Sequence, residues 1–353
     1  MIRLALSILL FSVFPQIGLA QQDALKARND AVARLYLQGQ YDRGIVLGKE
    51  VLLETEAGLG SQNPNLAYTL NNLALLHVAR GNFDAAEPLY RRALQIVEKA
   101  RGQIDPNYAG TLVNLGDLCL AMGKYSQAET HYKRSLEIKQ IGAGPDSPNT
   151  AISLHKLGSF YNSQGRHREA GPLLKDALRI NEKVYGPDHP QIAASLSGIG
   201  LWFLDEKDYV QAETTLTRAL KIKESGLPSD HPDLGSYIGN LASVYQAQGR
   251  LPQAETMFLR ALSIKKKALG EENAEVALSM SNLAEAYISQ GSFEKAEPIA
   301  LRALKISEST LGPNHPDVAV RLASLVKIYR ATGRAELAND LAMRVTKISA
   351  EVR

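Results

Sequence analysis

The stretch YGPDHPQIA occupies Tyr185–Ala193, and LGPNHPDVA occupies Leu311–Ala319. A chain that writes nearly the same nine residues twice, far apart, points to a repeat, and a period has to be found before domains are counted. Glycine supplies it. Gly39, Gly81, Gly123, Gly165, Gly249, Gly291 and Gly333 fall on a ladder with a rung of 42 residues, with Lys207 on the remaining rung. Pro64, Pro106, Pro148, Pro190, Pro232 and Pro316 keep the same spacing, with Ala274 on the one remaining rung.

Each unit reads as two helices. In the unit that starts at Pro64, the residues Leu66, Leu70, Leu73, Ala74 and His77 recur at steps of three and four, the spacing of a helical stripe. Gly81-Asn82 interrupts it, as expected just past a helix C-terminus. Phe83, Ala86, Tyr90, Ala93, Leu94 and Val97 make a second stripe, after which RGQIDP turns the chain and Pro106 fits a first helical position. No stretch alternates with period two, so the class is all-α without a sheet. The repeated nonapeptide is then the joint between helical hairpins. Gly186 or Gly312 ends the long second helix, Asp188 or Asn314 favours a turn or cap, and the proline opens the next helix. His189, His231 and His315 each precede a joint proline. Layers about 10 Å apart do not share a zinc ion whose nitrogen ligands sit at about 2 Å, so a local cap or turn role is expected and no metal site.

The sequence resembles the tetratricopeptide repeat family. Small residues late in the first helix (Gly116, Gly158, Gly200, Ala242, Ala284) carry the resemblance, with the aromatics Tyr161, Phe203, Tyr245, Tyr287 and Tyr329 after them. So do the small residues of the second helix, Ala86, Ala128, Ala170, Ala212, Ala254, Ala296 and Ala338. The family's usual unit is about 34 residues, and the longer unit with its GPDHP joint is similar to the kinesin light chain subclass. The resemblance implies an α-solenoid of about eight helix-turn-helix repeats, at approximately 23–64, 65–106, 107–148, 149–190, 191–232, 233–274, 275–316 and 317–353. Three places depart from the pattern: Gly44 and Gly48 stand where Ala is expected, DEKDY at Asp205–Tyr209 replaces the glycine turn, and Ala342 replaces an aromatic. Atypical end units are expected to cap a stack.

The first twenty residues read differently. Arg3, the apolar run Leu4–Phe14 and the small residues ending at Ala20 have the order of a secretory signal, too short to span a bilayer. The expectation is an exported chain starting at Gln21, periplasmic or secreted and bacterial, since Cys119 has no partner for a disulfide and no Asn-x-Ser/Thr sequon occurs. The net charge is +3, close to balance, which argues against a dedicated nucleic-acid surface.

Motifs for chemistry are missing. GLGSQ at Gly58 lacks the further glycine and the strand-to-helix setting of a phosphate loop, and there is no Cys-x-x-Cys or His-Glu-x-x-His. Cys119 lies on the packing stripe with Leu115 and Leu118 and reads as a small buried hydrophobe. Arg92, Arg134, Arg218, Arg260, Arg302 and Arg344 recur on second helices, but so do Glu87, Glu129, Glu213, Glu255 and Glu297, and interleaved signs read as a solvated face. No catalytic residue, metal or cofactor is assigned.

Asn72, Asn114, Asn240 and Asn282 hold one repeat position inside a helix, where Asn is a mediocre helix former. The resemblance implies that an Asn there faces a concave groove and bonds a ligand's backbone. The alternatives are a bond to a neighbouring helix, or a merely tolerated polar site. Around them the presumed groove is mixed: Asn71, Asp117, His155, Lys156, Ser159, Asn162, Ser243, Gln246, Glu285, Lys327 and Arg330. It is not the dense Lys/Arg set of members that grip a C-terminal carboxylate, and Lys156 alone does not make one. The reading is a non-catalytic scaffold for a protein or peptide partner, with Asn72, Asn114, Lys156, Asn240 and Asn282 as groove candidates. An accessory subunit of an envelope enzyme and a self-assembling structural unit are the alternatives.

Overall fold

A computed structural model describes residues 19–351 apart from residue 39, so residues 1–18, which hold most of the expected signal, lie outside the described part. Among the described residues, sixteen α-helices form eight antiparallel pairs. The first four pairs are α1 (Leu19–Leu37) with α2 (Tyr41–Leu59), α3 (Leu66–Ala79) with α4 (Phe83–Arg101), α5 (Pro106–Ala121) with α6 (Tyr125–Ala143), and α7 (Pro148–Ser163) with α8 (His167–Tyr185). The next four are α9 (Ala193–Asp205) with α10 (Tyr209–Gly226), α11 (Pro232–Ala247) with α12 (Leu251–Leu269), α13 (Ala274–Ser289) with α14 (Phe293–Leu311), and α15 (Pro316–Ala331) with α16 (Ala335–Glu351). A 3-10 turn, Pro190–Ile192, precedes α9, and no strand occurs among the described residues.

The joints are built as the nonapeptide predicts, with one refinement. Gly186 and Gly312 end α8 and α14 at φ 90°. The cap of the following helix is the histidine: Nδ1 of His189, His231 and His315 accepts from the N–H of Gln191, Asp233 and Asp317 at 3.1–3.2 Å. Asp188 and Asn314 stay in the turn. The turns within pairs need a left-handed residue, which Gly81 and Gly123 supply at φ 73° and 71°. Lys207 adopts φ 63° in the fifth pair, a conformation that costs a non-glycine residue about 1–2 kcal/mol.

Within each pair the small residues let the helices close. A Cβ on Gly116 would lie 2.6 Å from the Tyr132 ring, and one on Gly200 would lie 2.6 Å from Leu216. At positions 44 and 48, where Ala is expected, α2 faces α3 of the next pair. A Cβ on Gly44 would lie 2.6 Å from Leu76 Cδ2, and one on Gly48 would lie 3.1 Å from Leu73, so glycine gives the closer fit. Ala86, Ala128, Ala170, Ala212, Ala254, Ala296 and Ala338 are all fully buried.

The charged rows lie on a part-exposed, solvated face, as expected, and there they also meet across pairs. Glu129, Glu213 and Glu297 bind Arg166, Arg250 and Arg334 of the next pair at 2.7–2.9 Å. Each guanidinium also covers the aromatic ring of its own pair, Tyr161, Tyr245 or Tyr329, at 3.9–4.4 Å. Arg166 holds the Glu129 carboxyl down to about 2, against a cost of burial. Arg218, Arg260 and Arg344 reach back to Glu182, Glu224 and Glu308. The period of both rows is thus the period of the stack.

Odd-numbered helices approach their counterparts in the next pair, as α1 does α3, α7 does α9 and α13 does α15, whereas no two even-numbered helices do so to that extent among the described residues. The odd helices therefore line the inner wall of a superhelix and the even ones its outside. The winding brings distant pairs together. His315 Nε2 donates to the Ala121 carbonyl, 194 residues away in sequence, and its ring lies 6.2 Å from Phe83. With Nδ1 accepting at the cap, both bonds require the Nε2–H tautomer.

Candidate functional site

The inner wall carries a groove of about 590 Å³ along α3, α5 and the start of α7, floored by the last turns of α4 and α6. Asn65, Asn71, Asn72, Asn107 and Asn114 line it, with Tyr68, Gly110 and Ile152. Tyr68 and Ile152 are each 48 % exposed, large apolar groups left uncovered on the wall. A second cavity of about 440 Å³ adjoins it through the shared Asn65 and Tyr68 and continues over α1, where Asp23 and Asp30 stand. Gly110 leaves open space, since a Cβ there would meet nothing within 4 Å.

The five candidates meet different fates. Asn114 Nδ2 donates to Asn71 Oδ1 at 3.4 Å, and Asn240 Nδ2 donates to Ser197 Oγ at 2.9 Å. Each partner stands 43 residues earlier, on the preceding odd helix, so one amide N–H of both residues is spent on holding the stack. For Asn282 the corresponding residue is Gly239, which has no side chain, and Asn282 makes no side-chain hydrogen bond among the described residues. For Asn72 the corresponding residue is Asn29. Asn72 Nδ2 and Asn29 Oδ1 are buried without partners. Lys156 binds Asp117 at 2.7 Å, and Asp117 also accepts from the Tyr132 hydroxyl at 2.7 Å. Of the other presumed groove residues, Lys327 binds Glu285 at 2.9 Å and Gln246 donates to Ser289 at 2.9 Å, both across neighbouring odd helices.

His155 follows the same register. It faces Gly198, whose Cβ would lie 2.7 Å from the ring, and its Nδ1 is buried without a partner. Burial, and then the Lys156 charge, bring its pKa down to about 4, so the ring is neutral near pH 7. Cys119 is buried and burial raises its thiol, which removes the thiolate that reactivity needs. Among the described residues no three His, Cys, Asp or Glu side chains converge as metal ligands, and no helix is long and apolar enough to cross a membrane.

Sequence reasoning missed one residue. Lys139, near the end of α6, is 8 % exposed, lines the groove, and has no ion pair or hydrogen bond among the described residues. Burial, with the nearby Lys156 charge, brings its ammonium down to about 8. Lys223 and Lys265 hold the same repeat position, and there an acid stands ten residues later: Asp233 at 4.0 Å and Glu275 at 2.8 Å. Ten residues after Lys139 stands Asn149. The missing acid was legible as a broken pattern, but only once burial showed that the position matters.

The tetratricopeptide repeat model matches residues 23–99, 107–170, 149–225, 233–309 and 275–351. The chain belongs to the tetratricopeptide repeat family. It is 26 % identical to nearly identical TPR-like repeats assigned as kinesin light chain in Podosopora anserina, over 59 % of this chain and 98 % of that one, at a TM-score of 0.46. A Rap protein complexed with competence and sporulation factor is 15 % identical over 94 % of this chain and 99 % of that one, at a TM-score of 0.60. The apo form of RapI is 17 % identical over 81 % and 98 %, at 0.57. No curated protein matches the chain.

Proposed function

We propose that this chain is an exported, non-catalytic scaffold that takes a peptide or protein segment in its concave groove, with Asn72, Asn114, Lys156, Asn240 and Asn282 on the wall. The carrying observation is the groove itself: an inner face of amide side chains with uncovered Tyr68 and Ile152 beside them. Amides donate and accept, and so hold a peptide backbone without reading its side chains, while the apolar groups supply burial. A Rap protein with the same superhelical fold is seen complexed with competence and sporulation factor, which supports the reading that such a superhelix accommodates a ligand.

The test uses residues 21–353 and a displayed library of random peptides. Gly110→Trp fills open space in the groove and replaces a helical glycine, so folding is expected to be unchanged or slightly improved. Peptides selected on the parent chain are expected to bind Gly110→Trp at least about tenfold more weakly. For a segment long enough to run on along the inner wall to α11 and α13, Asn282→Ala is expected to lose about 0.5–1.5 kcal/mol of binding at unchanged stability, whereas Asn240→Ala also loses stability because Ser197 loses its donor. Equal binding to Gly110→Trp would place the peptides elsewhere and sink the proposal. Export is checked separately: the mature protein is expected to lack Met1–Ala20 by intact mass, and an unprocessed cytoplasmic species would refute it.

A further inference from the structure

We infer that Lys139 anchors a carboxylate of the bound segment, so that this scaffold selects peptides by an acidic group seated at the groove floor between α5 and α7. The inference rests on the groove-binding reading and sharpens it to a ligand class.

Three observations carry it. First, the register: lysine recurs at positions 139, 223 and 265 in the last turns of outer helices, and two of the three ammonium groups meet an acid at the start of the next inner helix. The third meets Asn149. A buried ammonium is tolerated when a carboxylate answers it and is costly when none does. Lys139 as a whole is 8 % exposed, its ammonium opens onto the groove, and the chain gives it no such group among the described residues. Second, the charge of the groove: none of its lining residues is Asp or Glu, and both charged ones, Arg101 and Lys139, are cations. Arg101 holds Asp105 only loosely, at 3.8 Å, so guanidinium donors remain. Third, the nearby acid is committed. Asp117 already takes Lys156 and Tyr132, and Lys156 adds positive charge near Lys139 instead of relieving it. A ligand carboxylate would therefore do for Lys139 what Glu275 does for Lys265 at 2.8 Å. A neutral peptide could use the amides of the wall, but it would leave the ammonium unanswered.

The carboxylate has two sources in a peptide, a free C-terminus or an Asp or Glu side chain, and the experiment separates them. Peptides selected by display are synthesised as the free acid, as the C-terminal amide, and with Asp and Glu replaced by Asn and Gln. One of the two neutralised forms is expected to bind the parent chain at least about tenfold more weakly, and which one does so names the source. Lys139→Met keeps the apolar stem and is expected to lose the same factor for the acid while no longer distinguishing it from its neutral form. Lys139→Arg is expected to restore part of the discrimination, which a purely structural role would not do. Equal binding of charged and neutral peptides, or a Lys139→Met chain that discriminates as the parent does, would overturn the anchor. If Gly110→Trp still blocks binding in that case, the groove reading survives. Peptides indifferent to Gly110→Trp, or no selected peptides at all, would remove both.

Discussion

Lys139→Met is expected to stabilise the protein by about 1–2 kcal/mol at pH 7, a large gain for one substitution in a repeat stack. The folded chain lowers the Lys139 ammonium from the usual 10.5 to about 8, chiefly by burial. The unfolded chain therefore binds this proton more tightly than the folded one. Below about pH 8 the side chain is charged in both states and the full penalty applies, so methionine gains most there. As the pH rises from about 8 to 10.5 the folded lysine gives up its proton while the unfolded one keeps it, and the penalty fades. Urea midpoints at pH 7 and pH 10.5 at unchanged slope measure the difference. Lys265→Met is the control: that lysine is equally buried, but Glu275 answers it, so no comparable gain is expected. Equal stability of Lys139→Met and its parent at pH 7 would mean that the ammonium escapes to water, and the argument for a groove anchor would lose its footing.

The same residue shows where a sequence stops being readable. The architecture was written in positions that physics leaves little choice about. Glycine or a strained Lys207 must take the left-handed turn, and proline or Ala274 opens each inner helix from the second pair on, apart from Leu66 and Ala193. Those signals are local, and they recur. The rows of Glu and Arg were legible as a solvated face, which they are, but periodicity alone does not say which opposite charges on it meet across a layer. The Asn row was visible too, yet its meaning differs from unit to unit. Ser197 gives Asn240 a partner and Gly239 gives Asn282 none, a contrast that depends on a residue 43 positions away. Gly44 departs from the family pattern for a similar reason: only the facing Leu76 side chain shows that an added methyl group would have to displace it.

Tyr132→Ala is expected to cost about 3–5 kcal/mol, the range for removing a buried aromatic ring. Tyr132 is 1 % exposed, its ring packs on Gly116, and Phe160 stacks at a tilt 5.7 Å away. Its hydroxyl donates to Asp117, which also holds Lys156, and burial together with that carboxylate pushes the phenol well above its ordinary range. Tyr132→Phe isolates the hydroxyl: about 1 kcal/mol is expected, with the ring in place and Asp117 still bound to Lys156. Because each pair contacts mainly its neighbours, the loss in Tyr132→Ala is expected to be local. Amide exchange should accelerate in α5, α6 and α7 and remain slow in α11 to α14. A cycle with Gly116→Ala decides whether ring and glycine form one packing unit. In the parent chain the added methyl group would lie 2.6 Å from the ring, so Gly116→Ala is expected to destabilise. In the Tyr132→Ala background the same methyl group enters vacated space on a helix that favours alanine over glycine by about 1 kcal/mol, and the sign should reverse. Additive effects of the two substitutions would show that the helices of this pair part freely, and that glycine stands at position 116 for some reason other than the ring it faces.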